Sequence, residues 1–532
     1  MTRERGRYLV PARMRERIAM NEQQGRPLAT LDTVDLRAST LDIKALKSLK
    51  EFGPPRNEGG RLNRTDLISG LNHGNLLQRL GLKRAMITIH TQTTAAFNGF
   101  DIEEIMGYTM VEKLLAAHAG LASVRPGQTV VAEVDFAMLT DARAPNALKM
   151  LDKLSTQPLR FVEKTALVLD HYSPPPNLEA ARIHSSMRAF AGREGAVLYD
   201  IGDGICHQLL PEKGHLTCGD LVVGTDSHSV TYGAFNALGM GVEGTDLSAV
   251  MATGRLWFQV PQTIRIELQG RLQPGVWAKD ITLTLLRDLG AEGANYLALE
   301  FVGEAVGHME IDDRMTLCNH CAELGAKAVL LEADQKTLDW LQAHGAREPK
   351  PVTADPSAQY LRTITLDVST IEPQVARPHE VDDVIAAREA AGVPIQFALI
   401  GTCTNGRLDD LRQAAAILRG KKLARGVRMI VTPASRDIYL QAAREGIIEA
   451  LTEAGASVEA AGCGTCISVT GHLYPGDGEA VISTANRNFK GRLGNELAEI
   501  WLGSAATVAA SALTGVITDP RTVEQGRWRA AA

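Results

Sequence analysis

Short apolar runs that end in glycine-rich loops alternate with helical runs over most of this chain, and that alternation admits few folds. "IQFALIG" reads as a buried strand and "LDDLRQAAAILRG" as a helix. "VRMIVTP" is again strand-like, and "SRDIYLQAAREGIIEAL" is helical with Ser435 as its N-cap. Strands separated by helices run parallel in one sheet, so the pattern predicts an α/β fold. Parallel strands send their loops to one edge, the crevice where such sheets bind ligands. Upstream, "TMVEKLLAAHAG" predicts a helix stopped by Gly120, and "QTVVAEVDFAML" alternates like a strand.

A chain of 532 residues exceeds one ordinary core and predicts about three domains. Its net charge of -6 makes no general case for a nucleic-acid or membrane partner. No apolar run approaches the ~18 residues needed to cross a bilayer. The N-terminal "MTRERGRYLVPARMRERIAM" lacks an apolar h-region, so no secretory signal is expected; Glu4 and Glu16 speak against a transit peptide. The expectation is a cytoplasmic protein. Residues 1–105 carry seventeen Lys/Arg against twelve Asp/Glu, a net of +5 that leaves -11 for residues 106–532. They read as an appended extension with a polar loop, "EFGPPRNEGGRLNR", a possible helix at "TDLISGLNHGNLLQRLGL", and a docking role. Pro373 and Pro378 in "IEPQVARPHEVDD" mark a further boundary.

Seven cysteines, at 206, 218, 318, 321, 403, 463 and 466, are too few for a disulfide framework, and an odd count suits a reducing compartment. Cys403 lies in "GTCTNGR", where a strand gives way to a helix; Cys463 and Cys466 lie in "GCGTC". Taken alone, the second pair is a redox dithiol or half a zinc site. Two βα units separate the motifs, however, and can bring both loop tips to one sheet edge. Three thiolates gathered there differ from a structural zinc site, which closes with four ligands. An iron–sulfur cube held by three leaves one iron open. Cys318 and Cys321, in "LCNHCAELGAK", complete a zinc site only if they lie near Cys463; with Cys206 and Cys218 they read as buried structural thiols.

In order, "MGYTMVEKLL", "VVGTDSHSVTYGAFNALGMGV", "IGTCTNGR", "GCGTC" and "STANRNFKGR" resemble the aconitase superfamily, most closely the large subunits of 3-isopropylmalate dehydratase and homoaconitase-like enzymes. The resemblance spans roughly residues 106–515. It implies three aconitase-type α/β domains around a central cluster, at residues 106–261, 262–376 and 377–532, after the extension. It implies that Cys403, Cys463 and Cys466 hold one 4Fe–4S cluster whose open iron binds substrate. Asp170 and His171 in "LVLDHYSPPP" would face the leaving hydroxyl, with Asp226, His228 and His207 around the cluster water. Glu300, an acid ending an apolar run, would be an iron-site carboxylate, since burying it alone is costly. Asn486, Arg487 and Arg492 would bind substrate carboxylates, and Asn405 a cluster sulfur or substrate. Thr140 stands where some relatives have Gln or His, which leaves substrate identity open.

In single-chain relatives a swivelling fourth domain supplies a serine base and an arginine. No "GSSRE"-like loop appears here, so the resemblance implies a separate small subunit. The expected activity is that of a hydro-lyase on a small hydroxy-di- or tricarboxylate, most like 3-isopropylmalate isomerisation. Hydration of a homoaconitate, dimethylmalate, maleate or citraconate type of substrate stays open. So does cluster-dependent RNA binding, although the charge of -11 counts against it.

Overall fold

The computed structural model describes residues 107–154, 159–466 and 474–523. The chain parts into Met1–Gly99 and Phe100–Ala532, and the basic extension with its expected helix lies outside the described residues. Three sheets carry the second unit. The first runs Val197–Tyr199, Thr165–Val168, Phe136–Thr140, Leu221–Gly224, Leu238–Gly241, all parallel. The second runs Ala328–Leu331, Ala298–Val302, Thr263–Gln269, Arg362–Asp367, also parallel. The third runs Val384–Ala386, Gln374–Ala376, Glu499–Gly503, Ala480–Ser483, Phe397–Ile400, Arg428–Val431, Ser457–Val458, antiparallel only at its first strands.

Most of these strands are apolar because both their faces are covered, the edge strand Arg362–Asp367 being an exception. Phe136 and Met138 of the first sheet enter one core while Ala137 and Leu139, pointing the other way, enter another. Among the described residues, the ribbon of Thr129–Glu133 against Arg255–Gln259 alternates buried with exposed, as "QTVVAE" predicts. The strand order reverses between Phe136–Thr140 and Leu221–Gly224, and again between Phe397–Ile400 and Ala480–Ser483. At each reversal the helices leave in opposite directions and open a crevice at the strand ends. Thr140 and Asp226 border the first crevice; Cys403 and Asn486 border the second.

The expected helix after residue 109 is Met110–Ala119, with a capping box between Thr109 and Glu112, and Gly120 (φ 67°) closing it. "SRDIYLQAAREGIIEAL" departs from expectation. Gly446 adopts φ 66° and divides it into Arg436–Arg444 and Ile447–Ala454. Ser435 caps the first of these, accepting the Ile438 N–H at 3.2 Å while donating to Glu212 Oε2 at 2.6 Å.

Glu300 is placed differently from the iron-site expectation. It is the middle residue of Ala298–Val302, and its carboxylate lies under the start of the first helix. There it accepts the Val111 N–H (3.3 Å) and the Tyr360 hydroxyl (2.9 Å). The helix dipole and these donors answer the cost of burial that suggested a metal partner. Burial still outweighs them and pushes its pKa up to about 7.

Two predictions follow from these contacts. Replacing Ser435 with alanine removes a cap and one of the donors to Glu212, so unfolding free energy should drop by about 1–2 kcal/mol in a denaturant titration. For Glu300 the folded pKa lies above the unfolded one, so its stability contribution is complete below about 4.5 and lost as pH rises through about 7. Glu300→Gln should therefore gain about 1–3 kcal/mol on wild type between pH 4.5 and pH 8, read as the difference in denaturant midpoints at the two pH values.

Candidate active site

Cys403 follows Phe397–Ile400 on a loop under heavy restraint. Thr402 takes a left-handed φ of 70°, rare for a β-branched residue. Thr484 Oγ1 accepts the Gly401 N–H at 3.0 Å, and the wholly buried Arg407 donates to the carbonyls of Cys403 (2.7 Å) and Thr404 (2.6 Å). Cys463 and Cys466 follow Ser457–Val458 on a tight turn, Gly464–Cys466. Gly464 at φ 56° is required there, since a Cβ would meet Thr432 Oγ1 at 2.5 Å. The Cys463 N–H reaches across to the Asp170 carbonyl at 3.1 Å. All three cysteines are buried, and all three line one cavity of about 810 Å³.

The opposite wall comes from the first sheet. Asp170 Oδ1 accepts from His171 Nδ1 (2.8 Å), and His171 Nε2 lies 3.4 Å from Asp226 Oδ2. Asp226 also meets His207 Nε2 at 2.9 Å and His228 Nδ1 at 3.1 Å. Burial works against the charge on Asp226, but hydrogen bonds with these three histidines hold its pKa well below the usual carboxylate range. Burial likewise opposes charge on His171, yet Asp170 beside it raises its pKa well above normal. His228, between Asp226 and Glu323, rises to about 9 against its own burial. Sulfur and imidazole meet closely: the donor atoms of His207, His228 and Cys403 lie within 4.8 Å of one another, as do those of Asp170, His171 and Cys463.

Arg487 and Arg492 line the cavity from the loop after Ala480–Ser483. Arg487 Nε donates to both oxygens of Glu323 (2.9 and 2.8 Å) and its Nη2 to Ser227 Oγ (3.0 Å). Arg492 Nη2 donates to Cys466 Sγ at 3.2 Å. Asn486 sits behind Cys403, with its amide 3.6 Å from the sulfur and donating to Asn319 Oδ1 at 2.7 Å. Asn405 is not brought in: its amide donates to Asp410 (2.8 Å) and Thr316 (3.3 Å), and it does not line the cavity. Glu300 does not line it either.

Sequence reading missed Glu323 and Asn319. Glu323 joins His228 Nε2 (2.8 Å) to Arg487, and those cationic partners carry its pKa down to about 2 despite burial. Both residues lie in "LCNHCAELGAK", where the cysteine pair drew attention. Their spacing of four on a helix that continues into a 3₁₀ turn was the available signal, because it puts two polar groups on one face. Cys318 and Cys321 are fully buried, as is Cys218; Cys206, also buried, borders the cavity beside Asp170.

A family model for the aconitase family (aconitate hydratase) matches residues 112–515. The chain is 44% identical over 418 residues to the 3-isopropylmalate dehydratase large subunit 1 of Methanopyrus kandleri, covering 78% of this chain and 99% of that protein. It is 45% identical over 420 residues to large subunit 1 of Thermotoga maritima, covering 78% and 99%. The 3-isopropylmalate dehydratase large subunit of Elusimicrobium minutum is 43% identical over 419 residues, covering 79% and 100%. Given a match of this extent and such identity along the full length of these relatives, the chain belongs to the aconitase family.

Proposed function

We propose that this chain is the cluster-bearing large subunit of a hydro-lyase that removes and re-adds water on a small hydroxy-di- or tricarboxylate, most like 3-isopropylmalate. The carrying observation is that three cysteines from one sheet and His171 and Asp226 from another line the same cavity, with Asp170 behind His171. The family implies an iron–sulfur cluster. The donor set suits one of the 4Fe–4S type held by Cys403, Cys463 and Cys466: three buried sulfurs, with an open side toward the cavity. A hydrogen bond from Cys463, opposed by burial and helped by Arg492, lowers the pKa of the Cys466 thiol, the direction that favours a thiolate ligand. Bound there, such a cluster supplies a Lewis-acidic iron for a hydroxyl and a carboxylate.

The chain's own residues supply the rest. Elimination of water needs a proton for the departing oxygen and a base for the carbon α to a carboxylate. His171, kept cationic between Asp170 and Asp226, donates the first proton from Nε2. Asp226, His207 and His228 hold a water or hydroxyl by hydrogen bonds. Glu323 positions Arg487 and His228, and Arg487 and Arg492 turn their guanidinium forks toward substrate carboxylates. The base comes from a separate small subunit, a reading that the relatives' printed name, "large subunit", supports. Residues 106–261, 262–376 and 377–532 are the three domains expected around the cavity, with the last boundary better set ahead of Gln374, whose strand pairs into the third sheet. With all seven cysteines free and buried, a cytoplasmic setting is the natural one.

The test is co-purification with the small subunit and assay of 3-isopropylmalate and related diacids by the ultraviolet absorbance of the unsaturated product. The assembled complex should turn over at least about 100-fold faster than the chain alone, the usual worth of a positioned base. Full activity of the isolated chain, or a complex inert toward every diacid, contradicts the proposal. Within the complex, Glu323→Gln should cut kcat by about 100-fold while leaving iron content intact.

A further inference from the structure

Most basic side chains around the cavity have a partner, while Glu243 lines it exposed. Arg487 meets Glu323 and Ser227 through Nε and Nη2, and Arg492 meets the sulfur of Cys466 through Nη2. Lys327 donates to the Gly241 carbonyl at 2.8 Å and faces Asp246. Arg143 is different. It lines the same cavity, its side chain is exposed to it, and among the described residues no acid lies within ion-pair distance of its guanidinium. Tyr172 lines the cavity as well, half-buried, and its hydroxyl has no hydrogen-bond partner among the described residues. Burial and then Asp141 raise the pKa of that hydroxyl, and Arg143 pulls it the other way.

Their placement is fixed by the strands. Arg143 stands just past the tip of Phe136–Thr140, and Tyr172 just past the tip of the neighbouring Thr165–Val168, next in chain to His171. Asp141 binds the two tips together, accepting the His171 N–H at 3.1 Å and the Tyr172 N–H at 2.9 Å. A group held between Arg143 and Tyr172 therefore sits at a set distance from the imidazole that protonates the leaving oxygen. A guanidinium fork with an added phenol O–H donor matches a carboxylate.

We propose that Arg143 and Tyr172 form a second carboxylate subsite on the outer wall of the cavity, taking the substrate carboxylate that lies away from the cysteines. This rests on the diacid chemistry proposed above and deepens it. The free positive charge selects substrates with a carboxylate at that end over those with a neutral group. It also gives the tip that begins at Thr140 a part in specificity.

In the assembled complex, Arg143→Gln should raise KM for 3-isopropylmalate by about 10- to 100-fold, the worth of a charge-assisted hydrogen bond, with kcat changed less than about 3-fold. Arg143→Lys should recover part of the loss, and Tyr172→Phe should cost about 3- to 10-fold in KM. A second measurement does not depend on turnover. Calorimetry on the cluster-loaded chain should show wild type binding succinate more tightly than its monoamide, and Arg143→Gln binding the two alike. Unchanged KM, or equal weakening of diacid and monoamide, overturns the subsite. A complex that turns over no diacid while the calorimetric contrast persists defeats the proposed reaction and leaves the subsite standing.

Discussion

One aspartate joins the two halves of the site. Asp170 Oδ1 takes His171, its Oδ2 takes the Cys206 N–H at 2.9 Å and lies 3.6 Å from Cys463 Sγ, and its carbonyl takes the Cys463 N–H at 3.1 Å. The loop that carries the imidazole is thus tied to the loop that carries the cysteines, although they come from different sheets. Burial penalises this carboxylate, and its pKa is nevertheless lowered by His171 and by Cys206. Replacing its side chain would leave His171 to Asp226, and the Cys206 N–H without its acceptor, while the main-chain tie to Cys463 would remain. The spacing between the His171 imidazole and Cys463 Sγ is set in part by this one residue.

From that joint the charges alternate around the cavity: His171 between Asp170 and Asp226, His228 between Asp226 and Glu323, Glu323 against Arg487. Each group fixes the protonation of the next, so the cavity is polar without being floppy. Fixed dipoles of this kind spend no reorganisation energy when charge develops on a substrate. The two crevices at the strand-order reversals explain why so many of these groups are loop residues at strand ends.

Much of this was legible in the sequence because loop chemistry at a parallel sheet edge is written locally. "GTCTNGR", "GCGTC", "GTDSHS" and "LVLDHY" place their functional groups within a few residues of a strand end, and the alternation gives strand direction. What was not legible depends on helix faces and on distant partners. Glu323 acts from a helical segment whose cysteines suggested another role. Glu300 looked costly to bury, and only the fold reveals that a helix start and Tyr360 receive it. Asn405 is two residues from Cys403, but the loop turns its amide to Asp410. Gly446 breaks a helix that periodicity alone would continue, because apolar spacing is silent about φ.

The central claim is that Cys403, Cys463 and Cys466 act as one ligand set. Iron and acid-labile sulfide should be measured per chain in wild type, in Cys403→Ser, and in Cys318→Ser. The account predicts about four of each in wild type and in the Cys318 variant, with loss of most of both in the Cys403 variant. Iron and sulfide that survive intact in Cys403→Ser, or a wild-type protein holding zinc in their place, would contradict it.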